Sequence, residues 1–136
     1  MDPTIDISYK PPLPKEYNAL RVRAGMSPRD EAGAAIALNN AIFTVTLRES
    51  HQLIGMGRVV GDGGCFCQIV DIAVDPTHQG KGLGKVIMSH IMEYLDKNAF
   101  KDSYVSLIAD VPADHLYKKF GFEYTHPRSV GMYKKY

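Results

Sequence analysis

Between Ile69 and Lys85 the chain reads IVDIAVDPTHQGKGLGK, an apolar strand run into a turn that holds Gly80, Gly82 and Gly84 and opens directly onto a helix. No other stretch restricts the fold as much. In that helix Leu83, Ile87, Ile91 and Leu95 recur every four residues, with Val86, Met88 and Met92 filling the same stripe, so one side must lie on a core. Glycines let the backbone approach a ligand closely, and the first helical turn leaves N–H groups free at the positive end of the helix dipole. Lys81 and Lys85 add positive charge, and the geometry suits a pyrophosphate. The chain's net charge is only +1, from 16 Lys plus Arg against 15 Asp plus Glu, so an anion site has to be local. That balance gives no general drive toward nucleic acid or an anionic membrane.

Two familiar phosphate loops fail on spacing. A magnesium-nucleotide loop requires G-x-x-x-x-G-K-[ST], whereas Gly80 stands four residues before Gly84 and Val86 occupies the hydroxyl position. A dinucleotide loop requires G-x-G-x-x-G, and the third position is Lys85 after Gly80 and Gly82, or Ile87 after Gly82 and Gly84.

Around this unit the patterning gives an order of elements. Ile5 to Tyr9 alternates as a strand, and PPLP at 11–14 ends it. Lys15 to Met26 carries a loose helical stripe of Tyr17, Leu20, Val22 and Met26, and Ser27-Pro28 reads as a cap and first position for a second helix reaching about Asn40. IFTVTL at 42–47 and LIGMGRVV at 53–60 form a hairpin; after GDGG at 61–64 a third strand runs from Cys65 to Val74. Beyond the amphipathic helix come a strand at Tyr104 to Ala109, a short helix opened by Pro112 and closed by Gly121, and terminal strands near Phe122 to Tyr124 and Met132 to Tyr136. This order predicts an α+β (α/β) sheet with mixed strand directions in one domain over residues 1–136, in keeping with a length of 136 residues.

Cys65 and Cys67 stand two apart on one strand, where a bridge would be strained, and read as small core residues. None of His51, His78, His90, His115 and His126 is paired at metal spacing, so no metal is expected. MYKKY at the end reads as a solvated face. No apolar run approaches the roughly 18 residues of a membrane span, and MDPTIDISYK lacks a signal peptide's pattern, so the cytoplasm is the expected compartment.

Gln79-x-x-Gly82-x-Gly84 resembles the Q/R-x-x-G-x-G/A signature of the GCN5-related N-acetyltransferase (GNAT) superfamily, in the place expected after an IAV strand. A second run, Asp110-Val-Pro-Ala113-Asp-His-Leu116-Tyr117-Lys-Lys119-Phe-Gly121-Phe122, is similar to the family's N-x-x-A-x-x-L-Y-x-K-x-G-F, with Asp110 replacing Asn. The resemblance is close over residues 69–122 and coarse before them. It implies a central, mixed, mostly antiparallel twisted sheet of six to seven strands with helices on both faces and a V-shaped splay between the fourth and fifth strands. It also implies acetyl-CoA as donor, with the backbone of Ile72, Ala73 and Val74 on the pantetheine arm and Gln79, Gly80, Lys81, Gly82, Leu83, Gly84 and Lys85 around the pyrophosphate.

Asp110 falls where the family's Asn contacts pantetheine. A carboxylate cannot donate as an amide does, and capping of the helix opened by Pro112 is its other role. By the same resemblance Tyr117 is the candidate general acid for the departing thiolate, and a backbone N–H near Ala73 holds the oxyanion. In histone-acetylating relatives a Glu serves as base; the corresponding residue is Gln68, which cannot. Asp71 is the remaining candidate base, with a structural hydrogen-bonded Asp the equal alternative. The expected acceptor is a primary amine on a small molecule, in a homodimer without nucleic-acid or membrane partners. An idle acetyl-CoA-sensing module and a protein or peptide acetyltransferase are the alternatives.

Overall fold

The alternation in the first half of the chain becomes an antiparallel meander in the computed structural model, which describes residues 2–136. Strand β1 (Ile5–Ser8) is followed by helices α1 (Pro14–Arg23) and α2 (Glu31–Leu38), then β2 (Phe43–Glu49), β3 (Gln52–Gly61) and β4 (Phe66–Val74). A single 3-10 turn (Pro76–His78) leads to α3 (Leu83–Asn98), β5 (Tyr104–Leu107) and α4 (Asp114–Lys118). The sheet order is β1-β2-β3-β4-β5, antiparallel up to β4 and parallel between β4 and β5, so the expected mixed α+β sheet is present. It has five strands among the described residues rather than six to seven. Phe122–Tyr124 and Met132–Tyr136 are not strands, because neither segment has a strand partner among the described residues.

Helices cover both faces. On one, Ile87, Met88 and Ile91 of α3 are fully buried against Val45, Leu47, Ile54 and Val59. On the other, Tyr17 and Leu20 of α1 and Ala34 and Leu38 of α2 close over Leu53, Met56 and Ala73. Burying an aliphatic side chain of this kind stabilises by about 1.5–3 kcal/mol. The approach of α3 to the sheet has a cause in β3. A Cβ on Gly57 would stand 2.7 Å from both Ile72 Cδ1 and Ile87 Cγ2, so only glycine lets the helix pack this close.

The second helix begins at Glu31 rather than beside Ser27-Pro28. The Ser27 carbonyl accepts from Arg21 Nε and the Arg29 N–H donates to Asn18 Oδ1, which ties this loop back to α1. Asp30 is the cap, its carboxylate accepting from the Gly33 N–H. Nor is Pro112 the first residue of α4, which starts at Asp114. Cys65 and Cys67 are free thiols; Cys65 is exposed rather than part of the core, and Cys67 is half-buried.

Candidate active site

The site starts from a strand pair that stops early. β4 and β5 are in register from Phe66 opposite Tyr104 to Ile69 opposite Leu107, and there the pairing ends. β4 continues for five more residues to Val74, bonded only to β3 on its other side. Its β5-facing edge is therefore open, and a cavity of about 120 Å³ lies in the gap, lined by Val70, Asp71, Ile72, Ile108, Asp110 and Tyr117, with Met26 reaching in from the α1–α2 loop. This is the expected splay between the fourth and fifth strands.

A bulge sets the direction of β4 along the gap. Arg58 pairs with Val70 and Met56 with Ala73, so Asp71 and Ile72 together oppose Gly57, and Asp71 takes φ 59. A left-handed conformation in a non-glycine residue costs on the order of 1–3 kcal/mol and persists only where the surroundings enforce it. Here they do. Asp71 Oδ1 accepts from Arg21 Nη1 at 2.5 Å, and Oδ2 accepts from Arg58 Nε and from the Tyr17 phenol, each at 2.8 Å. The three charged side chains are 4%, 8% and 6% exposed for Arg21, Arg58 and Asp71. Burial, and then the Asp71 charge, push the Tyr17 phenol up, which keeps it a donor. Arg58 Nη1 also bonds the Ala37 carbonyl, so α1, α2, β3 and the bulge meet on one carboxylate. Both carboxylate oxygens of Asp71 are thus engaged by side chains of α1 and β3. Sequence reasoning missed this cluster, although Arg58 inside the apolar LIGMGRVV run is the kind of charge that announces a buried partner.

At the end of β4, Gln79 Nε2 donates to the Val74 carbonyl and hooks the glycine turn to the strand. Gly80 and Gly82 take φ 80 and φ 79, and around each the space a Cβ would enter holds nothing within 4 Å. Gly82 is the N-cap of α3; the first amide bonded back is that of Val86, to the Gly82 carbonyl, so the N–H groups of Leu83, Gly84 and Lys85 have no partner among the described residues. Lys81 and Lys85 are exposed beside them, while Leu83 is buried and anchors the helix. An open turn with unpaired donors and two lysines fits a pyrophosphate.

Tyr117 is brought to this point by α4, whose Leu116 lies against the start of α3, 3.4 Å from where a Gly84 Cβ would be. The Tyr117 ring is 9% exposed and lines both the 120 Å³ gap and a neighbouring cavity of about 210 Å³. Burial, then the nearby Asp110 carboxylate, raise its phenol above the ordinary value. Asp110 caps nothing with its side chain; its backbone carbonyl accepts the Ala113 N–H. Among the other expected residues, Ile72 lines the gap, Ala73 is buried under α1 and α2, and Val74 packs toward α3. Gln68 sits deeper in the paired region, opposite Val60 and Ser106. Among the described residues no group of three or more His, Cys, Asp and Glu is placed to share a metal ion.

Comparison with known proteins gives the family. The Acetyltransferase (GNAT) family matches residues 6–122, and the chain belongs to it. A histone acetyltransferase, TAP1, of Glycine max is 30% identical over 129 residues, which are 87% of this chain and 55% of that protein. The chain spans about half the length of the curated relatives it matches. Among solved structures, SA2161 of meticillin-resistant Staphylococcus aureus, a protein of unknown function described as a probable acetyltransferase, is 54% identical with a TM-score of 0.93, covering 97% of this chain and 99% of that one. Glucosamine-6-phosphate N-acetyltransferase of Arabidopsis thaliana, at 17% identity, shares the fold with a TM-score of 0.72 over 98% of this chain and 99% of that one. No helix of the described residues is long and apolar enough to cross a membrane.

Proposed function

We propose that the chain is an enzyme that moves an acetyl group from acetyl-CoA to a primary amine, and that the amine belongs to a small molecule. The observation that carries this is the gap between β4 and β5, which has an anion-binding turn at the end of β4 and the Tyr117 phenol in its wall. When bound there, the donor supplies an activated thioester carbonyl.

The residues of the chain do the rest. The unpaired amides of the α3 N-terminus, with Lys81 and Lys85, hold the diphosphate. The open edge of β4 offers backbone groups to the pantetheine amides, and a backbone N–H near Ala73, beyond the bulge, would hold the developing oxyanion. The phenol of Tyr117, protonated at neutral pH as any tyrosine is and held so further into the alkaline range by burial and then Asp110, donates to the departing sulfur. Asp71 holds the bulge rather than accepting the proton, and the amine loses its proton to solvent.

Gln68 in place of a carboxylate supports the small-molecule acceptor, whereas the 30% identity to a protein named as a histone acetyltransferase favours a protein lysine as the second reading. A homodimer in the cytoplasm, with neither nucleic acid nor membrane as partner, completes the proposal. Thiol release from acetyl-CoA against polyamines, arylalkylamines, aminoglycosides, amino sugars, amino acids and short peptides tests it. Turnover with one amine class supports it, turnover with peptides alone selects the second reading, and tight donor binding without turnover on any acceptor would make the chain a sensor.

A further inference from the structure

On one face of the sheet the helices leave a strip of β4 and β5 bare. In β4 the side chains of Cys67 and Ile69 pack toward α3, so Phe66, Gln68 and Val70 point to the other face. In β5 Val105 and Leu107 pack the same way and leave Tyr104 and Ser106 beside them. On that face α1 and α2 close over Leu53, Met56 and Ala73, which stops short of these rows. Phe66 stands opposite Tyr104 in register, and Gln68 opposite Ser106. Phe66 and Tyr104 are 64% and 53% exposed at one end of the strip, and Ile108 is 69% exposed at the other. Large apolar side chains exposed side by side, rather than singly, mark a surface that binds something.

Where the strip leads says what it binds. Val70 and Ile108 line the 120 Å³ gap in which transfer is proposed, so the strip and the gap are one continuous surface. From Val70 back to Phe66 is four residues of strand, about 13 Å. The rings of Phe66 and Tyr104 lie 6.1 Å apart and tilted by 49°, an open corner of two aromatic surfaces. Between that corner and the gap come Gln68 and Ser106, both half-buried and able to hydrogen-bond without charge. The Asp110 carboxylate is exposed at the gap end, whereas Asp71 beside it is already held by Arg21 and Arg58. α2 stands along the side, its Ala37 carbonyl accepting from Arg58 Nη1 in the strand next to β4. A path with a carboxylate at one end, neutral polar groups in the middle and aromatic rings at the other is complementary to an amine whose uncharged body ends in an apolar group.

We infer that this strip is the outer part of the acceptor site, with Phe66 and Tyr104 holding an apolar, uncharged group about 13 Å from the amine that is acetylated. The inference rests on the proposed transfer to a small-molecule amine and narrows it to acceptors with such a tail. Binding energy gained at a remote group holds the amine at the gap, so Phe66 and Tyr104 select the acceptor without touching the reacting atoms.

The test compares thiol release from acetyl-CoA by the full chain with phenylethylamine, phenylhexylamine and aminohexanoate. Phenylhexylamine extends to the aromatic corner and phenylethylamine stops short of it, so kcat/KM is expected to be on the order of tenfold higher for the longer amine. Aminohexanoate, whose tail is charged, should do no better than phenylethylamine. In Phe66→Ala/Tyr104→Ala, with circular dichroism retained because both side chains are exposed, the advantage of the longer amine should fall to about twofold or less. Phenylhexylamine titrated into the isotopically labelled parent should shift the amides of Phe66, Gln68, Tyr104 and Ser106. Equal kcat/KM at both lengths, or an advantage that survives the double variant, overturns the strip and leaves the transfer reaction standing. Those amide shifts without thiol release from any of the amines uphold the strip and place the failure in the transfer reaction; neither shifts nor release overturns the strip as well. A smaller mass by light scattering for the double variant than for the parent would make this face a contact between copies, which also overturns it.

Discussion

Replacing Asp71 with Asn separates the two roles a carboxylate in this strand can have. Asn tolerates the left-handed conformation at φ 59 about as readily as Asp and keeps one acceptor oxygen, but its amide N–H2 replaces the other, so the change removes the charge and sets one donor against the donors of Arg21, Arg58 and Tyr17. It leaves Arg21 and Arg58, 4% and 8% exposed, facing each other with no counterion. Removing one partner of a buried ion pair costs about 3–5 kcal/mol, because the remaining charge has neither water nor an opposite charge. Urea unfolding followed by circular dichroism is expected to show that loss, with a melting temperature lower on the order of 10–20 °C. Activity below the new melting temperature should fall through the bulge, with no change in the pH at which the rate rises. The reasoning fails if the variant unfolds within about 0.5 kcal/mol of the parent, an ordinary surface effect, while its turnover drops a hundredfold and its pH profile loses a limb. Asp71 would then be the base.

Tyr117→Phe is expected to lower kcat by about a hundredfold or more, the usual contribution of a positioned acid, with donor affinity nearly unchanged; stopped-flow thiol release and titration calorimetry read the two separately. Because the phenol is raised above 10.0, turnover that depends on it should persist through pH 10 and decline only beyond, in a pH-rate profile of the parent enzyme. Gly82→Ala meets no steric clash but puts a side chain at φ 79, so it should cost about 1–2 kcal/mol in stability and weaken acetyl-CoA on the order of tenfold in calorimetry. Gly57→Ala pushes a methyl into Ile72 and Ile87 and should destabilise by about 1–3 kcal/mol in the same urea assay.

The parts of the fold legible in the sequence were those whose signals are local. The stripe of Leu83, Ile87, Ile91 and Leu95 places α3, which the structure extends to Asn98, and alternation places the hairpin to within a few residues. The glycine turn is equally local, since left-handed backbone at residues 80 and 82 leaves glycine as the ready choice. What could not be read depends on residues far apart in the chain. Asp71, Arg21 and Arg58 become one group only after α1 is laid across the sheet, so Asp71 alone looked available for acid-base work. α2 starts at Glu31, behind the Asp30 cap, because Arg21 and Asn18 hold the Ser27–Arg29 backbone. Phe122–Tyr124 and Met132–Tyr136 have strand-like composition, but a strand is defined by its partner, and neither finds one among the described residues.

The central claim is that the gap between β4 and β5 receives the donor, with the α3 N-terminus on its diphosphate. Backbone amide chemical shifts recorded while acetyl-CoA is titrated into the isotopically labelled protein test it residue by residue. Gly80 to Lys85 should move most, with Val70 to Val74 and Tyr117 beside them, and the β1–β2 edge should stay still. Shifts that spare the Gly80 to Lys85 turn, or that cluster elsewhere on the surface, would contradict it.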